Sequence, residues 1–142
     1  MFKYVATLVI TLGLVTGAIA DEKPFKEGPV TSVTFVRVKD GKFFEYMAYL
    51  GVTYRQQMEA LKKAGLVLDY KIYRATPQSP NEANLILTVV YPNYAALDHN
   101  AEFDAIATKT QGSLKAADEG FGTRDSMREV LGSNLVQELT LK

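Results

Sequence analysis

His99 is the one histidine of the chain, and it stands in the run LDHNAEFD between Asp98 and Glu102. On a helix, the three-residue step from His99 to Glu102 brings an imidazole and a carboxylate to one face. Such a pair can serve as a haem or metal ligand, or as a general base. The same residues equally suit a solvated first helical turn, in which Asp98, Glu102 and Asp104 complement the positive end of the dipole. With no second His and no Cys to complete a shell, neither a metal site nor a cofactor is expected. Arg37 and Arg74 fall late in segments that read as strands. Either can offer a bidentate fork to a carboxylate ligand, or pair with Asp69, Glu138 or another surface acid. Tyrosines recur at positions 46, 49, 54, 70, 73, 91 and 94, combining apolar area with a hydroxyl. That suits a pocket for a planar small molecule, a dimer interface, or ordinary core packing. The ligand-binding candidates are therefore His99, Arg37, Arg74, Tyr46 and Tyr70. The chain carries no Gly-rich phosphate loop, nucleophile elbow or paired metal-ligand motif, and no catalytic residue is assigned.

Composition narrows the partners. Sixteen Lys and Arg balance sixteen Asp and Glu, which argues against the basic surface that nucleic-acid binding requires. Hydrophobic residues make up 47% of the 142 residues and charged ones 23%, the proportions of one soluble domain. The absence of Cys removes disulfides, thiolate ligands, Cys nucleophiles and lipid attachment through Cys.

Residues 1–20 read as an address. Lys3 precedes an apolar stretch from Val5 to Val15, and Ala18-Ile19-Ala20 forms a small-residue cleavage site before Asp21. Thr7, Thr11, Gly13, Thr16 and Gly17 interrupt the stretch, which is shorter than the roughly 20 apolar residues of a spanning helix. A secretory signal cleaved after Ala20 is expected, leaving a periplasmic or secreted protein without a stable membrane anchor.

The elements that must position the candidate residues follow from hydrophobic spacing. Residues 21–29 mix charges with Pro24, Gly28 and Pro29 and read as a disordered leader to the domain at 30–142. From Val30 to Lys39 the chain alternates as a strand with apolar residues on both faces: Val33 and Phe35 oppose Val36 and Val38. After Asp40-Gly41, the stripe Phe43, Met47, Leu50, Tyr54, Met58 and Leu61 marks an amphipathic helix ending at Gly65. Leu66–Ala75 and Ala83–Tyr91 read as a hairpin across the turn residues TPQSPNE. Asn93 is a good N-cap for a second helix that ends near Gly112. Ser113 to Gly122 is ambiguous. Thr123 followed by RDSMREVLG reads as a capped short helix, and NLVQELTLK as a final strand.

This order is strand, helix, strand, strand, helix, strand. It is the split βαβ arrangement, which sets both helices on one face of a four-stranded antiparallel sheet. The second face has no helix to cover it, and both faces are apolar: Val33 and Phe35 oppose Val36 and Val38, and Leu85, Leu87 and Val89 oppose Ile86 and Val90. An open apolar sheet face marks a partner surface, and a two-fold homodimer packing sheet on sheet covers it economically.

The runs VRVKDGKFFEYMAYLGVTYRQQMEALKKAGLVLDYKIY and REVLGSNLVQELTLK, in this order of elements, resemble the dimeric α/β-barrel superfamily. That superfamily includes stress-responsive barrel proteins, antibiotic-biosynthesis-type monooxygenases and EthD-like proteins, and the chain is similar to its exported bacterial members of unassigned function. The resemblance implies an α+β, ferredoxin-like fold, a homodimer closing into an α/β barrel, and a cavity between sheet and helices for small, often aromatic ligands. It also admits a cofactor-independent monooxygenase or a haem-linked activity, and an assembly role without ligand is the third reading. A site with so few ionisable groups has limited means of acid-base catalysis, so binding of a small hydrophobic or aromatic molecule without turnover is expected.

Overall fold

The computed structural model describes residues 22–142; the export signal read in residues 1–20 and its cleavage after Ala20 lie outside the described residues. Four strands, β1 (Phe25–Val38), β2 (Asp69–Arg74), β3 (Leu85–Tyr91) and β4 (Arg128–Leu141), form one antiparallel sheet in the order β2-β3-β1-β4. Helices α1 (Phe43–Tyr49) and α2 (Arg55–Lys63) connect β1 to β2, and α3 (Asn100–Gln111) and α4 (Leu114–Asp125) connect β3 to β4. This is the expected α+β ferredoxin-like arrangement. The sheet of the single chain is open and does not close into a barrel.

Strand pairing fixes which side chains share a face. Ile72, Leu87 and Thr34 lie in one row across β2, β3 and β1, and Arg74, Leu85 and Val36 in the next. Val36, Val38, Leu85 and Leu87 pack with Tyr46, Leu50 and Met127 into the main core, so this face carries the helices. A second cluster, Met58, Leu61, Leu66 and Val67, packs beside it against Val89, Tyr91, Phe103 and Ile106. Because side chains alternate along a strand, the opposite face presents the rows Tyr73–Ile86–Phe35, Lys71–Thr88–Val33–Asn134 and Asp69–Val90–Thr31–Val136. No helix among the described residues covers these rows.

Three boundaries differ from expectation. The first strand begins at Phe25, so Phe25 to Pro29 are not a loose leader: Phe25, Lys26 and Glu27 pair with Leu141, Thr140 and Leu139. The long partner strand β4 draws them into the ladder, and a register shift between Glu27 and Val30 absorbs the turn-forming Gly28-Pro29. The first helix is interrupted by a π turn, Leu50–Tyr54, where Gly51 and the β-branched Val52 and Thr53 weaken regular α geometry.

The third difference is the largest. No short helix follows Thr123; instead α4 occupies the ambiguous segment and Arg128–Leu141 is all strand. The Ser113 hydroxyl accepts from the Ala116 amide at 2.9 Å, a cap that starts α4 where hydrophobic spacing alone marks no helix. Gly112, at φ 90°, makes the sharp reversal between α3 and α4 that an L side chain resists. Upstream, the Asn93 cap is where expected, with its side chain accepting from the Ala96 amide at 3.0 Å. It starts a 3-10 turn, Tyr94–Asp98, and α3 follows only at Asn100.

Candidate ligand-binding site

The π turn continues α1 into α2, and Tyr46, Tyr49, Leu50, Tyr54 and Gln57 project from this run along one wall of a cavity. Helix α4 supplies Leu114, Ala117, Phe121 and Arg124, α3 supplies Asp104, Ala107 and Gln111, Leu87 contributes from the sheet, and Arg128 opens β4 beside them. The cavity, open to solvent on one side, has a volume of about 350 Å³, within the range of small-molecule sites.

Two arginine-tyrosine pairs dominate its chemistry. Arg128 Nη1 donates to Tyr46 Oη at 2.6 Å, and Arg124 Nη1 donates to Tyr49 Oη at 2.8 Å. The rings of Tyr46 and Tyr49 lie nearly parallel, 13° apart with centroids separated by 6.0 Å. The Arg124 guanidinium sits 4.0 Å from the centroid of Phe121 and 5.5 Å from that of Tyr49, and Arg128 sits 5.4 Å from Tyr46. Arg124 is only 7% exposed, yet among the described residues no carboxylate lies within ion-pair distance of it or of Arg128. Cation–π contacts return on the order of 2 kcal/mol to a desolvated cation, less than the several kcal/mol that burial costs. The site therefore holds positive charge that its own side chains do not neutralise. Asp104 is the single acid on the cavity wall, and it is exposed.

Hydrogen-bonding capacity is unmet in the same place. Each guanidinium carries five donors and spends one on a tyrosine hydroxyl. Arg128 Nε and Tyr54 Oη are enclosed without any partner. Gln111 Nε2 donates to Gln57 Oε1 at 3.3 Å, so the two amides on the wall answer each other. Since Tyr46 and Tyr49 accept from arginine, their own hydroxyl protons remain free to donate, and the polar lining is rich in donors.

Burial pushes the pKa of Tyr46 above the usual phenol value, against the pull of Arg128, and pushes that of Tyr54 much further, with nearby tyrosines adding to the effect. Tyr91 is raised by burial as well. These phenols are therefore protonated donors at neutral pH. A raised folded-state value means that the unfolded chain loses its protons first. Stability contributed by these groups is full below pH 10.0, the ordinary phenol value, and is lost as pH rises beyond it. Tyr54→Phe removes an enclosed, unpartnered hydroxyl, so stability at pH 7 should hold or rise by up to about 1 kcal/mol. Urea midpoints measured from pH 7 to 11 should fall less steeply for this variant than for the parent chain.

Of the candidates named from sequence, Tyr46 lines the cavity and the other four lie elsewhere. His99 is exposed, its Nδ1 3.2 Å from Glu102 Oε1, and that contact holds the Glu102 carboxyl below its usual range. The pair decorates the start of α3 at the surface. Arg37 donates to the Pro80 carbonyl at 2.9 Å and to Asn81 Oδ1 at 3.2 Å, and it pairs with Glu129, so it ties the β2–β3 loop to β4. Arg74 lies 5.0 Å over the Phe43 ring and is exposed. Tyr70 donates to Glu59 Oε1 at 2.8 Å and meets Tyr54 edge-on. Sequence reasoning missed Arg124, Arg128 and Phe121. The sequence around them, TRDSMR, gives no signal that separates these arginines from a solvated helical face.

No protein-family model matches the chain, and no curated protein does. Solved structures do. HapK from Hahella chejuensis is 15% identical with a TM-score of 0.52, over 77% of this chain and 91% of that one. A dimeric ferredoxin-like protein from an uncultured marine organism is 14% identical with a TM-score of 0.52, over 82% of this chain and 98% of that one. A second such protein, also from an uncultured marine organism, is 7% identical with a TM-score of 0.51, over 82% and 90%. At these identities the likeness is one of fold, and the chain has the ferredoxin-like fold of these dimeric proteins.

Proposed function

We propose that the protein is exported, pairs with a second copy through its open sheet face, and holds a small aromatic molecule between helices and sheet without turning it over. The observation that carries this reading is the cavity walled by Tyr46, Tyr49, Tyr54 and Phe121, where ring faces can stack on a planar ligand. Its ionisable groups support binding over acid-base chemistry: two arginines, an exposed Asp104, and phenols that burial keeps protonated. Pairing is supported by the apolar residues Phe35, Ile86, Val33, Val90 and Val136 at the middle of the uncovered face, where Lys71 and Asp69 lie at its β2 edge, and by the dimeric ferredoxin-like neighbours. Export rests on the signal pattern of residues 1–20.

A second reading, assembly alone, draws on the exposed apolar residues Leu135, Val136, Leu139 and Leu141 of β4. Native mass spectrometry of the protein recovered from its own compartment separates the two. The binding reading predicts a mass of two chains lacking residues 1–20, with a small-molecule adduct. A bare dimer favours assembly, and a bare monomer contradicts the pairing on which both rest.

A further inference from the structure

We infer that the ligand is an anion: a planar aromatic acid whose carboxylate or similarly charged oxygens lie against Arg124 and Arg128. The inference rests on the aromatic-ligand reading above and adds the charge of the ligand to it.

Three observations converge. Arg124 is buried without an acid partner, and Arg128 beside it is likewise unpaired among the described residues. Their hydrogen bonds go to the phenols of Tyr49 and Tyr46, which accept through oxygen and keep a proton to donate. Arg128 Nε is buried with no hydrogen-bond partner among the described residues. A site that presents guanidinium and phenol donors together selects a molecule that brings acceptors, and among acceptors it selects negative charge. The stacked rings of Tyr46 and Tyr49 and the Phe121 ring beneath Arg124 supply the apolar walls for the ring of the same molecule. One hydrogen bond, from Gln111 Nε2 to Gln57 Oε1, ties together the two amides of the same wall.

The test compares two probes of one shape and different charge, 2-naphthoate and 2-naphthamide, titrated calorimetrically into the wild-type protein at pH 7. Naphthoate, ionised at this pH like other carboxylates, should bind at least about tenfold more tightly than the amide, the advantage of hydrogen bonds to a charged acceptor. In Arg128→Gln the two dissociation constants should draw together. Equal affinities in the wild-type protein overturn the inference and leave the aromatic-ligand reading standing. Binding of neither probe overturns both. Because the comparison of the two probes is made in the wild-type protein, it stands even if Arg128→Gln fails to fold.

Discussion

Val36→Lys should be among the most destabilising single changes in the chain, costing several kcal/mol. Val36 is fully buried and packs with Tyr46, Leu50, Leu85, Leu87 and Met127 between sheet and helices. A lysine there places an ammonium in the core with no acid in that cluster, at a cost of several kcal/mol after relaxation. A domain of this size is stable by roughly 5–15 kcal/mol in total, so a loss of several kcal/mol takes a large share of it and unfolds a domain at the low end of that range. Urea titration followed by circular dichroism measures it. A midpoint within about 1 kcal/mol of the parent chain would show that β1 does not present this face to the helices.

One residue earlier, Phe35→Lys should give the opposite result, a folded monomer. Phe35 belongs to the row Tyr73–Ile86–Phe35 on the uncovered face, where a lysine on a lone chain keeps its head in water. Two such faces packed together would bury a charge from each protomer. Burying them weakens association by several kcal/mol, more than a hundredfold in the dimer dissociation constant. Size-exclusion chromatography with light scattering reads the change, and circular dichroism confirms that the fold persists. A variant that remains dimeric at unchanged dilution would place the interface elsewhere, with the exposed β4 edge as the next surface to test.

That these neighbouring positions lie on opposite faces is legible in the amino-acid sequence, because a strand's two-residue period separates Val33 and Phe35 from Val36 and Val38; which face the helices cover is not, since both carry apolar residues and the docking of α1 decides it. The order of elements is legible for the same reason: the stripe from Phe43 to Leu61, the hairpin turn at TPQSPNE and the Asn93 cap are local signals. Helix α4 is not. Gly120 and Gly122 lower its propensity, and it is held by the Ser113 cap together with tertiary contacts, above all Arg124 on Tyr49. The first residues of the domain read as a loose leader because charge, Pro and Gly dominate them, while their strand geometry comes from pairing with β4 far along the chain.

The site is legible only in part. Tyr46 is within reach by residue type alone, because tyrosine combines apolar area with a hydroxyl; it lies off the stripe Phe43, Met47, Leu50, Tyr54, Met58 and Leu61, and its full burial comes from the docking of α1 on the sheet. Arg124 and Arg128 are not, since two arginines four apart read as a solvated helical face. Their burial is decided by how the end of α4 and the start of β4 dock against α1. Conversely, His99 and Glu102 have the spacing of a site, yet the helix that carries them turns both to solvent.

The most direct measurement of the central claim is a titration of 2-naphthoate into the wild-type protein and into Ala117→Phe, which fills the cavity from α4. Saturable binding of one probe per chain by the wild-type protein, lost in the filled variant while its circular dichroism is unchanged, is the predicted result. Binding that survives the filling, or that never occurs, would contradict a ligand site between the helices and the sheet.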